Sequence, residues 1–168
     1  MNAVDQLCTQ CGLCCDSTLF ADVELRAGDD VKRLAKLGLP LAKKGKSKVA
    51  FAQPCACFDG KLCKIYNDRP RRCRLFECGL LKKVSAGEMK AGAALKKISK
   101  TKELAKRVRD LLESLGERPE EMALMECYKQ AMQAPIELNS AESNGKRRGE
   151  LMQAFSDLML ILQRDFLR

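Results

Sequence analysis

The sequence predicts a mainly α-helical protein in which a small, irregular, cysteine-rich region precedes an α-helical C-terminal half. Nine of the ten cysteines lie between Cys8 and Cys78, a stretch with few regular elements and little apolar density. Beyond Cys78 the apolar residues recur at helical spacing. We therefore predict a cysteine-cluster region over residues 1–80 and a helical region over residues 81–168 that packs on it, both within one compact unit.

The N-terminal half is expected to contain only short elements. Residues 1–20 form a first cysteine knuckle, and residues 16–25 carry a weak strand pattern. A short helix is predicted over residues 31–37, with Asp29 or Asp30 as its N-cap.

A loop, a short strand, a turn and a short helix are predicted from residue 43 to the end of the second cysteine group, which spans residues 55–78. The lysine run at residues 43–48 is expected to be a solvated loop, and residues 49–51 a short strand. The Asp59-Gly60 dipeptide favours a turn that places Cys57 and Cys63 on opposite sides of a small loop. Further on, Pro70 is predicted to be the first residue of a short helix.

The C-terminal half is predicted to consist of three helical segments. A capping box at residues 85–88 precedes apolar residues at helical spacing that continue to Gly116. This segment is predicted to form one helix, or two helices with a break near residues 99–101. Pro119 is expected to start the next helix, which stops before Pro135.

The last predicted helix follows a polar linker at residues 139–145. Each of the three helical segments carries an apolar stripe, and such stripes more often belong to a hydrophobic core than to a cofactor site. We expect the stripes to pack on one another and on the cysteine region. Cys127, alone in the second helix, is interpreted as a small buried hydrophobe. The stripe of the last helix contains Leu151, Phe155, Leu158, Leu162 and Phe166.

The sequence contains no histidine. This absence excludes mixed cysteine-histidine zinc fingers, histidine-based hydrolytic zinc sites, the facial triad of non-haem iron and every histidine-dependent nucleophilic triad. Thiolates are strong, soft ligands for zinc, copper(I) and iron-sulfur iron. The two-residue gaps from Cys8 to Cys11 and Cys14 allow several sulfurs to point at one centre, so we predict a metal held by sulfur.

The N-terminus resembles no secretory signal and no apolar run is long enough to span a membrane, so a cytoplasmic location is expected. In a reducing compartment, cysteines are metal ligands or free thiols more often than a disulfide framework. The adjacent cysteines Cys14 and Cys15 also argue against simple bridging, although a disulfide-stapled domain stays an alternative.

The formal net charge of +9 favours contact with anions such as nucleic acid. Two divalent ions, each held by four thiolates, would remove roughly four of these charges. The absence of tryptophan argues against a base-stacking surface. Metal ions are therefore the expected partners, a protein partner stays open, nucleic acid has weak support, and no membrane partner is expected.

Four arginines surround Cys73 in the sequence. Cations beside a thiol lower its pKa and balance an anionic metal site. An exposed basic helix face is the alternative interpretation. The arginines are Arg69, Arg71, Arg72 and Arg74.

These residues resemble the CxxCxxCC family, also called the YkgJ-type cysteine cluster family, which is described as chelating zinc or iron. The resemblance rests on Cys8-x2-Cys11-Gly-x-Cys14-Cys15, on Pro54-Cys55, and on the motif from Cys63 to Cys78 that includes Ile65-Tyr66 and Arg69-Pro70. It implies a set of eight metal ligands and leaves Cys57 as an extra cysteine. The implied ligands are Cys8, Cys11, Cys14, Cys15, Cys55, Cys63, Cys73 and Cys78.

The resemblance implies a metal-binding protein that holds an iron-sulfur cluster or zinc ions, with a structural or redox role. Eight thiolates fit two four-ligand sites or one multinuclear cluster. The ferredoxin-like gaps favour iron-sulfur slightly over zinc. Two alternatives remain: a cluster-dependent enzyme related to flagellin lysine methylases, and a zinc-stapled nucleic-acid adaptor. The spacing of radical S-adenosylmethionine enzymes is missing, because position 18 is a threonine.

Overall fold

The computed structural model describes residues 3–135 and 141–168, which form a small sheet and a larger group of helices. The prediction of a mainly α fold with a cysteine-rich N-terminal region is confirmed. The helices are α1 (Ala3–Cys11), α2 (Val31–Lys36), α3 (Arg71–Leu75), α4 (Gly79–Ser85), α5 (Ala91–Ser114), α6 (Leu124–Gln133) and α7 (Ala141–Ile161), and the strands are β1 (Asp22–Glu24), β2 (Ala42–Lys44) and β3 (Lys48–Ala52).

Helix α1 occupies residues for which the sequence predicted only a knuckle. Leu7 on this helix is 2% exposed and belongs to the same hydrophobic cluster as Leu80 and Ile98, on α4 and α5. A nine-residue helix is marginal in isolation, so this packing stabilises what local sequence does not. Gly12 follows with a φ of +75°, as a turn at this position requires.

The three strands form an antiparallel sheet in the order β1-β3-β2, in which Val23 faces Phe51. The prediction that the lysine run is a loop is wrong in part, because Ala42–Lys44 pairs with β3. Lys44 and Lys48 also form ion pairs with carboxylates of β1, at 2.7 Å from Asp22 and 2.9 Å from Glu24. These ion pairs neutralise part of the basic run.

One short helix, α2, precedes the second cysteine group, and another, α3, lies within it. Asp30 is the N-cap of α2, and its side chain accepts a hydrogen bond of 2.9 Å from the Arg33 N–H, which confirms one of the two predicted caps. Helix α3 begins at Arg71, so Pro70 is its N-cap and not its first residue.

The predicted capping box at residues 85–88 is wrong. Ser85 ends α4, and Gly87, with a φ of +74°, lies in the turn before α5 begins at Ala91. Leu80 and Leu81 are buried, so packing makes α4 a helix of its own. Helix α5 then runs without a break to Ser114, which settles the choice between one helix and two.

Helix α6 starts later than predicted, at Leu124, because Pro119 begins a turn and not a helix. The helix ends at Gln133, before Pro135, as predicted. The predicted polar linker is wrong for residues 141–145, which belong to α7, and residues 139–140 lie outside the described residues.

The main core lies where α5 and α7 pack together with α1, α4 and α6. The five predicted stripe residues of the last helix are all buried, and Cys127 is fully buried in the same cluster, as expected. The Tyr128 and Phe155 rings stack with centroids 3.9 Å apart. No helix among the described residues has the length and apolar character needed to cross a membrane.

A buried carboxylate joins the end of the chain to α5. Asp165, whose side chain is 4% exposed, lies in the π-helical turn Leu162–Phe166 and accepts hydrogen bonds from Lys97 at 3.0 Å and Arg164 at 2.8 Å. Burial raises the pKa of Asp165, but the hydrogen bonds and charges of Arg164 and Lys97 outweigh it and hold the pKa below its usual value. The ionised carboxylate therefore stabilises the folded state.

We expect Asp165→Asn to lower the free energy of unfolding by about 1.5–3 kcal/mol at neutral pH, the range for hydrogen bonds to charged groups. Because the folded-state pKa is lowered, the difference from the natural protein should persist above the ordinary Asp pKa of about 3.9 and shrink as pH falls through the lower folded-state value. Urea unfolding at several pH values measures this difference in the free energy of unfolding. Asp157→Asn, at an exposed position of α7, is the control and should change little. Equal effects of both variants would contradict the prediction.

Candidate metal centre

A cavity of about 240 Å³ lies between the N-terminal cysteine segment, the β1–β3 pair and the second cysteine group. All eight cysteines that the resemblance implies as ligands line it, whereas Cys57 and Cys127 do not. Much of the remaining lining is apolar and includes Leu7, Val23 and Phe51. The fold therefore brings the eight predicted residues to one place, although they are up to 70 positions apart in the chain.

Four of these cysteines form a first thiol set: Cys8, Cys11, Cys14 and Cys78. Cys8 and Cys11 are three residues apart on α1 and so share one face of that helix, while Cys78 is the N-cap of α4. Burial raises the pKa of Cys11 to about 12, and the neighbouring thiols of Cys78 and Cys8 add to the rise. Burial also raises the pKa of Cys14, as do the thiols of Cys11, Cys15, Cys78 and Cys8, three of which are members of this set.

The other four form a second thiol set: Cys15, Cys55, Cys63 and Cys73. Burial raises the pKa of Cys15, and its thiol neighbours are the other three members. Burial likewise raises the pKa of Cys73 to about 12, with further contributions from Cys55 and Cys63. The second set is therefore a mutually interacting group like the first.

The hydrophobic clusters divide seven of these eight cysteines in the same way. Cys8, Cys11 and Cys78 pack against the helical core, whereas the second set belongs to or packs against a separate cluster around Val23, Phe51 and Ile65. Cys14 packs against neither cluster, and it is assigned to the first set because three of the four thiols that raise its pKa, Cys11, Cys78 and Cys8, are members of that set. The eight cysteines form two groups of four that meet at one pair of adjacent residues.

Two contacts hold the N-terminal cysteine segment against residues 55–63 of the second cysteine group. The Cys55 N–H donates a hydrogen bond of 2.8 Å to the Cys15 carbonyl oxygen, which links the first cysteine segment to the second. A Cβ on Gly12 would lie 2.5 Å from Cζ of Phe58, so the turn of the first set packs directly on the hairpin of the second. Glycine at position 12 is required both by this approach and by its positive φ.

The donor chemistry of both sets fits a thiophilic metal. Raised pKa values keep buried thiols protonated at neutral pH, and a metal cation would compensate their ionisation by replacing the protons. Four cysteines per set match the closed coordination of structural zinc and of iron-sulfur clusters.

The sulfurs surround the cavity but do not yet converge on single points. Among the described residues, no three cysteine, aspartate or glutamate side chains have the mutual arrangement that one bound ion would impose. Each cysteine sulfur turns about one side-chain bond, so metal binding would require rotation of the thiols into the cavity.

The arginines near Cys73 have different roles. Arg69 lines the cavity, its guanidinium lies 3.6 Å from the centre of the Tyr66 ring, and its charge lowers the pKa of Cys73 against the effect of burial. Arg72 also lines the cavity, whereas the Arg71 side chain bonds the Ala27 carbonyl and Arg74 is exposed. Arg69 is therefore the arginine whose position and charge bear most directly on a cavity-lining thiol.

Two residues that sequence reasoning missed also support the site. Arg109 on α5 donates hydrogen bonds of 2.7 Å to the Asp16 carbonyl and 2.9 Å to Oγ1 of Thr18, which fixes the segment after Cys15. Gln53 is 2% exposed and lines the cavity, and its Oε1 has no hydrogen-bond partner among the described residues. Arg109 is one of many basic residues on α5, so no sequence signal distinguishes it.

Comparison with known families gives one match, which covers more than half of the chain. The model of the CxxCxxCC family, described as a "putative zinc- or iron-chelating domain", matches residues 7–104. The matched range contains both thiol sets and the first part of α5. No curated protein and no solved structure matches.

Proposed function

This chain belongs to the CxxCxxCC family, and from that premise we propose that it binds zinc or iron through its eight cavity-lining cysteines, in two four-thiolate centres. The observation that carries the proposal is that all eight cysteines line one cavity, where three of the first set pack against the helical core and the second set lies in or against a separate hydrophobic cluster. A bound metal would supply electron transfer, or a cross-link between segments that have few regular elements. With four thiolates each, both centres would be closed, which favours a structural or electron-carrying role.

Iron-sulfur is the favoured occupant. The first thiol set combines three cysteines at two-residue gaps with one distant cysteine, Cys78. Bacterial ferredoxins hold a cluster with three cysteines from one such run and a fourth from elsewhere in the chain. In the second set, the positive charge of Arg69 beside Cys73 would offset part of the thiolate charge.

A cluster-dependent enzyme and a nucleic-acid adaptor, the two alternatives, have less support than a metal-binding role. A cluster-dependent enzyme would need an open metal position, which full use of both thiol sets does not provide. A nucleic-acid adaptor would need free positive charge, but Lys44 and Lys48 in the basic run are paired with Asp22 and Glu24.

Anaerobic purification followed by metal analysis and visible absorption spectroscopy tests the proposal. We expect stoichiometric iron and the broad absorption of thiolate-to-iron charge transfer. A colourless protein with stoichiometric zinc would contradict the preference for iron and keep the two centres. A protein without either metal, even after reconstitution with each, would overturn the proposed function.

A further inference from the structure

A ninth thiol lies directly beside the second thiol set. Cys57 is 3% exposed and belongs to the same hydrophobic cluster as Cys55, against which Cys63 and Cys73 pack. Burial raises the pKa of Cys55, and the nearby Cys57 and Cys63 thiols add to the rise. Although it lies outside the cavity lining, Cys57 is a close neighbour of Cys55, two positions away in the same cluster.

The backbone places these three cysteines on one short hairpin. Phe58 pairs with Cys63 in an antiparallel bridge, and the Lys64 N–H donates a hydrogen bond of 2.9 Å to the Cys57 carbonyl. The Phe58 N–H bonds the Cys55 carbonyl at 2.9 Å in the turn before it. Because successive side chains on paired strands point to opposite faces, Cys57 lies on the face opposite to Cys63, and Cys55, at the start of the same turn, is the thiol that it can replace.

The contact that holds the Cys57 sulfur outside the cavity is weak. Its Sγ donates to the carbonyl oxygen of Leu37, just after α2, at 3.5 Å. A thiol is a poor hydrogen-bond donor, whereas a thiolate is a strong ligand for a soft cation. A metal ion in the second set would therefore compete well with Leu37 for this sulfur.

We propose that Cys57 is an exchangeable fifth thiolate of the second thiol set, which can take the ligand position of Cys55. In the exchange, the Cys57 thiol releases its proton and forms a sulfur–metal bond, while the bond from Cys55 breaks and that thiolate takes up a proton. No electron is transferred, and the metal keeps four sulfur ligands. The second centre would consequently exchange its zinc or ferrous ion faster than the first, which has no spare thiol among the described residues. This inference rests on the proposed function.

The metal content of serine variants tests the proposal, with zinc as the probe under reducing conditions. Cys55→Ser should keep the metal of both centres, because Cys57 replaces the missing sulfur, whereas Cys55→Ser/Cys57→Ser should lose the metal of one centre. Cys55→Ser/Cys127→Ser is the matched control and should behave like Cys55→Ser. Loss of one centre's metal in Cys55→Ser alone, or retention of both in Cys55→Ser/Cys57→Ser, would overturn the proposal.

A second measurement uses a variant that keeps all eight predicted ligands. Cys57→Ser should bind the same amount of zinc as the natural chain but release the metal of the second centre to a chelator more slowly. Unchanged release kinetics would overturn the exchange. A natural chain that binds neither zinc nor iron would overturn the proposed function itself, whereas a fully loaded natural chain with either contrary variant result would overturn this inference alone.

Discussion

Cys11→Ser is expected to lose the metal of the first thiol set while the second set keeps its own. A serine hydroxyl is a poor substitute for a thiolate, and Cys11 has no spare thiol beside it in the part of the chain that the structure describes. Structural metal binding is worth about 10–16 kcal/mol in small zinc modules, so loss of one centre should also destabilise the N-terminal half. Metal analysis and thermal unfolding, followed by hydrogen exchange of α1, measure both effects.

Cys127→Ser is the control for this loss. Cys127 is fully buried in the helical core and is absent from the cavity lining. Its replacement should leave the metal content unchanged and cost about 1–3 kcal/mol for a buried hydroxyl. Loss of metal in Cys127→Ser would show that the assignment of the ten cysteines is wrong.

Gly12→Ala is expected to destabilise the cysteine region by about 2–5 kcal/mol, the sum of the left-handed backbone cost and an overpacked contact. The φ of +75° opposes any side chain, and the added Cβ would lie 2.5 Å from the Phe58 ring. Displacement of Phe58 would separate the turn of the first thiol set from the hairpin of the second. Both metal content and thermal stability should therefore fall.

Gly45→Ala is the matched control. Gly45 has a φ of +67°, but no atom lies within 4 Å of an added Cβ. This variant should show only the backbone cost, about 1–2 kcal/mol, and bind a full complement of metal. If Gly12→Ala had no larger effect than Gly45→Ala, the contact with Phe58 would not matter for the site.

The helical half was largely predictable because its periodic apolar stripes are buried. The stripe of α7 and the end of α6 before Pro135 follow from periodicity and proline chemistry. The missed elements depend on tertiary packing. Helices α1 and α4 are short and are stabilised by burial of Leu7, Leu80 and Leu81, which no local signal reveals.

For the site, the resemblance supplied the eight cysteines, but their division into two sets could not be predicted from chain order. Cys14 and Cys15 are adjacent, yet the other thiols beside Cys14 belong to the first set, whereas those beside Cys15 belong to the second. The supporting contacts of Arg109 join residues more than 90 positions apart. Such contacts exist only once the fold has formed.

The metal content of two double variants tests the central claim, that Cys14 and Cys15 belong to different four-thiolate centres. Cys11→Ser/Cys14→Ser alters one set, so we expect it to lose no more metal than Cys11→Ser and to keep half of the natural content. Cys11→Ser/Cys15→Ser alters both sets and should bind almost none. Equal metal content in the two double variants would contradict the division into two centres.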